Sequence, residues 1–119
     1  MHELGVVFNV IKRVEEVAEE NDVAQVADVT IRLGEVSGVV PALLTDCWNW
    51  AVNRTEVMKG ATLTIETIPA VTWCEDCKQE YETVKYGRTC PHCGSGNTFL
   101  LQGNEFEIKD ISVLDRETA

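Results

Sequence analysis

Two short cysteine pairs constrain this chain more than any other feature of it. W-C-E-D-C and C-P-H-C-G set Cys74, Cys77, Cys90 and Cys93 as two C-x-x-C knuckles with twelve residues between them. Each knuckle turns the backbone tightly, and the pair brings four thiolates to the corners of a tetrahedron, which is the arrangement of a closed zinc site. Gly94 follows the second knuckle, where a residue without Cβ strain suits the turn. Structural zinc is the expectation. Catalysis at zinc is not, since all four positions are taken.

The residues around the module keep two clean periods. Leu4, Val7, Phe8, Ile11, Val14 and Ala18 follow the i, i+3, i+4, i+7 spacing of an amphipathic helix, with Asn21–Asp22 as its stop. Val29, Ile31 and Leu33 then alternate with polar residues, as in a half-buried strand that ends near Gly34. A second helix is predicted after Ser37 as cap and Pro41 in the first turn, with Leu43, Leu44, Cys47, Trp48 and Ala51 on its apolar face. A-T-L-T-I-E-T-I and N-E-F-E-I-K-D-I-S-V-L read as two further strands, the last changing phase at Lys109–Asp110, where a bulge would account for it. The expected fold is α+β: two helices on a three-stranded sheet, with a zinc-ribbon-like four-cysteine module inserted between the second and third strands. Residues 1–70 and 98–119 would form the α+β domain, and residues 71–97 the module.

Charge narrows the function classes. Twenty acidic against ten basic residues give a net charge of −10, which repels phosphate backbones and anionic membranes alike. No apolar run is long enough for a bilayer span, and the N-terminus lacks the layout of a signal peptide. A cytoplasmic protein is expected, and its cysteines then favour metal over disulfides. A rubredoxin-like iron centre stays open, because C-P-H-C-G resembles one of its knuckles. Cys47 reads as a small buried hydrophobe, His92 as an exposed loop residue, and Trp48 and Trp73 as packing residues. Trp50 falls off the apolar stripe. No nucleophile–base pair is visible, so the chain is not expected to be an enzyme.

One of only two histidines stands directly behind the initiator, in Met1-His2-Glu3. The α-amine, the His2 amide nitrogen and the His2 imidazole can close two fused chelate rings. A planar nitrogen set of that kind suits Ni(II) or Cu(II), whereas zinc prefers a tetrahedron. On this chemistry alone a fortuitous histidine at a frayed end stays open beside a metal site.

M-H-E-L at the start, the helix after it, and the late C-x-x-C…C-P-x-C module followed by Q-G-N-E-F-E-I resemble the HypA/HybF family over essentially the whole chain. These are nickel-insertion accessory proteins of nickel–iron hydrogenase maturation. Gly5 departs from the serine the family often has. The resemblance implies a nickel (Ni2+) site at Met1, His2 and Glu3 and a structural zinc (Zn2+) at Cys74, Cys77, Cys90 and Cys93. It also implies a nickel-maturation GTPase and the hydrogenase large subunit as partners, with the chain itself a monomer or a homodimer. A zinc-ribbon adaptor that carries no transported metal is the alternative.

Overall fold

The computed structural model describes residues 3–114, and the packing of the chain divides it into two compact units. The first comprises residues up to Ile31, Val39–Glu66 and the stretch from Glu107. The second comprises Arg32–Gly38 and Thr67–Phe106, and so contains residues 71–97 whole.

The first unit opens with α1 (Glu3–Glu20). Val7, Val10, Ile11, Val14 and Ala18 are its buried stripe. Val10 is an addition to the predicted set, and Leu4 and Phe8 are exposed. The reason is angular. At about 100° per residue Phe8 stands a quarter turn round from Val7, on the flank rather than the floor. Asn21 and Asp22 end the helix, Asp22 with a positive φ of 55°. α2 (Pro41–Ala51) packs against α1 and begins, as predicted, with proline in its first turn. Its N-cap is Val40, and no side chain caps it; Ser37 instead sits in the preceding turn, its amide bonded to the Gly34 carbonyl at 3.1 Å. Leu44, Trp48 and Ala51 are buried, and the Trp48 indole donates to the Ala61 carbonyl at 2.9 Å. Leu43 is exposed and Cys47 only half-buried, because they share the helix flank with exposed Trp50. Phe8 meets Trp50 edge to face, with ring centres 6.2 Å apart, and Arg54 lies over the same indole.

The three predicted strands are β1 (Val26–Gly34), β2 (Thr62–Ile68) and the C-terminal strand, here β6 (Phe106–Val113). They form one sheet in the order β2–β1–β6. Two helices and a three-stranded sheet are thus present as the periodicity implied. The central strand is the most buried: Val26, Val29, Ile31 and Leu33 are all 1% exposed or less. In β6 half-buried Ile108 and Ile111 flank exposed Lys109 and Asp110, which is the predicted change of phase.

The second unit holds a sheet of its own, ordered β4–β3–β5, from β3 (Val71–Cys74), β4 (Glu80–Glu82) and β5 (Thr98–Gln102), with a single helical turn α3 (Thr83–Tyr86). None of these is legible as a period, since each has five residues or fewer. No helix among the described residues is long and apolar enough to cross a membrane.

Candidate metal centre

The second unit is built around sulfur. Its core cluster is Cys74, Tyr81 and Cys90, with Cys77 packed against it. Strand β3 ends on Cys74, and the chain then makes the same turn twice. In the first knuckle the Lys78 amide bonds to the Cys74 carbonyl at 2.9 Å, and the Cys74 amide bonds to the Gln79 carbonyl. In the second, Gly94 bonds back to Cys90 at 2.8 Å, and Cys90 to Ser95. Both turns close on a left-handed residue, Lys78 at φ 59° and Gly94 at 77°. Glycine meets that demand in the expected place; lysine meets it without sequence warning.

These turns gather the four predicted thiols so that every sulfur lies within 4.8 Å of the others. Cys74 and Cys93 are 3.6 Å apart, and Cys77 and Cys90 are 3.5 Å apart. Such separations are far beyond the ~2.05 Å of a disulfide. They match the edge of about 3.8 Å in a sulfur tetrahedron around an ion with bonds near 2.3 Å. The donor set therefore fits a closed, four-coordinate metal, and soft thiolates in this geometry favour zinc. When bound, the ion would act as a staple and offer no open position.

The site also organises its own charge. Burial raises the Cys77 thiol to about 12, assisted by bonds to the neighbouring sulfurs. Burial opposes ionisation of Cys90 as well, but the Cys93 and His92 amides and the Cys77 thiol direct their hydrogens at it and bring it down to about 6. At Cys93 the Ser95 amide favours the thiolate, yet burial and the bonds to the Cys74 and Cys90 sulfurs prevail and the group is raised. At neutral pH the metal-free cluster therefore carries a thiolate at Cys90 and protons on Cys77 and Cys93. Zinc must expel the protons that its thiol ligands carry, so its apparent affinity should rise with pH. Calorimetric titration in buffers of different ionisation heat counts the protons released; zinc uptake near pH 7 without proton release would contradict this assignment.

A clamp that sequence reasoning missed ties the knuckles together. The Asp76 carboxylate accepts from the Ser95 hydroxyl and from Asn97 Nδ2 at 3.4 Å, while the Glu75 amide bonds to the Asn97 carbonyl at 3.0 Å. Those side-chain bonds, Ser95 first, hold the Asp76 carboxyl below its usual value. An aspartate inside a C-x-x-C pair carries no distinct signal; only the fold puts Ser95 and Asn97 beside it. His92 is exposed, and its described role is the amide bond to Cys90 Sγ at 3.3 Å.

Of the residues predicted to hold nickel, Glu3 stands in the first turn of α1, half-buried. Met1 and His2 lie outside the described residues.

Comparison with known proteins gives a consistent result. The family model described as "Hydrogenase/urease nickel incorporation, metallochaperone, hypA" matches residues 1–113. The chain is 37% identical over 120 residues to the hydrogenase maturation factor HypA of Streptomyces avermitilis, covering 99% of this chain and 91% of that one. It is 35% identical over 111 residues to the maturation factor HybF of Klebsiella pneumoniae, covering 93% and 97%. Among solved structures, the solution structure of the nickel metallochaperone HypA from Helicobacter pylori superposes with a TM-score of 0.69 at 28% identity, covering 96% of this chain and 98% of that one.

Proposed function

The chain belongs to the HypA family of nickel-incorporation metallochaperones, and from that premise we propose that it binds Ni(II) at its N-terminus and delivers it for insertion into the large subunit of a nickel–iron hydrogenase. The observation that carries this reading is the family match reaching residue 1, where Met-His-Glu stands. The curated relatives above are named as hydrogenase maturation factors, which favours hydrogenase over urease as the destination.

The α-amine of Met1, the following backbone nitrogens and the His2 imidazole form a nitrogen set suited to a d⁸ ion. Glu3 adds its amide or its carboxylate. Its place in the first turn of α1 supports this, because helix-start amides have no intrahelical acceptor and are open to other chemistry. A site with few protein ligands at a chain end holds its ion modestly and can hand it over. Cys74, Cys77, Cys90 and Cys93 hold zinc as a structural staple, and the partners are a nickel-maturation GTPase and the hydrogenase large subunit. The protein works in the cytoplasm and catalyses no reaction itself.

Nickel titration of the untagged, zinc-loaded protein against His2→Ala tests this. Loss of the imidazole should weaken nickel binding by at least about tenfold, with zinc content unchanged. Equal affinity in both proteins would sink the N-terminal site and leave the zinc staple standing.

A further inference from the structure

The sheet of the second unit has two unlike faces. Its register sets Thr72 opposite both Tyr81 and Leu100, and Thr72 and Tyr81 are buried. Strand alternation therefore sends Val71, Trp73, Glu80, Glu82 and Phe99 to the other face. There Trp73 lies directly between Glu80 and Phe99 in the ladder, and Val71 is paired with Glu82. This face is not sealed. Phe99 is 47% exposed, and Leu101, the extra residue where the β3–β5 register slips, is 45% exposed. Both carboxylates of β4 are exposed, with no hydrogen-bond or ion-pair partner among the described residues. An aromatic and aliphatic strip thus runs beside a row of unpaired negative charge.

A groove continues the strip. A cavity of about 450 Å³ has Val71, Val84, Glu82 and Glu35 among its lining residues. Glu35 already accepts from the Ala70 amide at 2.9 Å. Lys85 also lines the cavity, with its ammonium 5.4 Å from the centre of the Tyr86 ring. The Glu82 carboxylate in a cavity also lined by apolar Val71 and Val84 suits the head and stem of a lysine or arginine from outside. Across the three strands the face is about 10 Å wide, the diameter of one helix.

We propose that this outer face of the β4–β3–β5 sheet docks a cationic amphipathic helix of a partner protein, its apolar side on Trp73 and Phe99 and its basic residues along Glu80 and Glu82. Charge complementarity chooses this occupant over a second copy of the chain: two copies would bring their own glutamates together, each on a protein of net charge −10. The proposal does not depend on the nickel reading, since the surface is complete without the N-terminus.

The test uses the full, zinc-loaded, nickel-free chain and a synthetic Leu/Lys amphipathic helix as probe, with a Leu/Glu helix and a polylysine of equal charge as controls. Amide NMR shifts should change saturably at Val71–Trp73 and Thr98–Leu101 with the Leu/Lys helix. Phe99→Ser and the double change Glu80→Lys, Glu82→Lys should each weaken binding about tenfold, while Glu16→Lys with Glu19→Lys on α1 should leave it nearly unchanged. Zinc content and retained amide dispersion in β3 report an intact fold. Shifts centred elsewhere, equal binding of polylysine, or indifference to the β4 charge reversal would overturn the proposal. So would sedimentation showing a dimer of the free protein that Phe99→Ser dissolves, because the face would then belong to a second copy.

Discussion

Cys90→Ala is expected to unfold the second unit while the first stays folded, even in excess zinc. A structural zinc contributes on the order of 10–16 kcal/mol of folding free energy in small metal modules, as much as the whole stability of a typical domain. The second unit has little else to rely on. Its core cluster is Cys74, Tyr81 and Cys90 with Cys77 against it, so three of these four residues belong to the four-cysteine group that could hold a metal. The unit is also smaller than the roughly 70 residues at which an apolar core alone holds a fold. Removing one ligand leaves buried sulfur with protons or charge and no ion. The first unit has its own apolar core, including fully buried Trp48, Leu44 and Met58. Indole NMR separates the two outcomes: the Trp73 signal should collapse to an unfolded position while the Trp48 signal, bonded to the Ala61 carbonyl, persists. Stoichiometric zinc with an unchanged melt in Cys90→Ala would show that the metal is not the staple.

Gly34→Ala should cost about 3 kcal/mol or more, an unusually large effect for adding one methyl group. A Cβ built on Gly34 falls 2.1 Å from the Gly103 carbonyl oxygen, 2.2 Å from its carbon and 2.6 Å from the Asn104 amide. All three are backbone atoms, so no side-chain rotation relieves the clash. Gly103 is in turn pressed against Ala70, where a Cβ would approach within 2.5 Å, and it holds φ at 120°. The segments are locked by a ring of bonds: the Gly34 amide to the Glu105 carbonyl, the Val36 amide to the Gly103 carbonyl, and the Gly103 amide to Glu105 Oε1. Gln102 adds a bond from its side-chain amide to the Pro69 carbonyl. Gly5→Ala is the control. Nothing lies within 4 Å of a Cβ there, and alanine in a helix should gain about 0.5–1 kcal/mol over glycine. Denaturant melts of both variants decide the matter; a Gly34→Ala protein within about 1 kcal/mol of wild type would refute the close approach.

This knot gives a structural role to Gln102 and Gly103, which no residue period covers, and to Glu105, which stands just before β6 although the alternation places it in that strand. Gln102, Gly103 and Glu105 each make a bond that closes the second unit. The helices and the three main strands were legible because amphipathic periods are written in near neighbours. Val7, Ile11, Val14 and Ala18 need only one common core to face, and the alternation of β1 needs only one covered side. Errors came at the flanks, at Leu4, Phe8, Leu43 and Cys47, where the width of an apolar stripe depends on what lies alongside it.

The four-cysteine centre was legible for another reason: ligand chemistry is specific enough that spacing alone implies a tetrahedron. The sequence by itself determined the two periods and the four cysteines that gather into a cluster fit to hold a metal. Only the tertiary structure decided what surrounds them. The Asp76 clamp, the approach of Gly34 to Gly103 and the open Trp73–Phe99 face all join segments far apart in the chain. Contacts of that kind arise from the folded path of the backbone, and no local pattern of residue types encodes them.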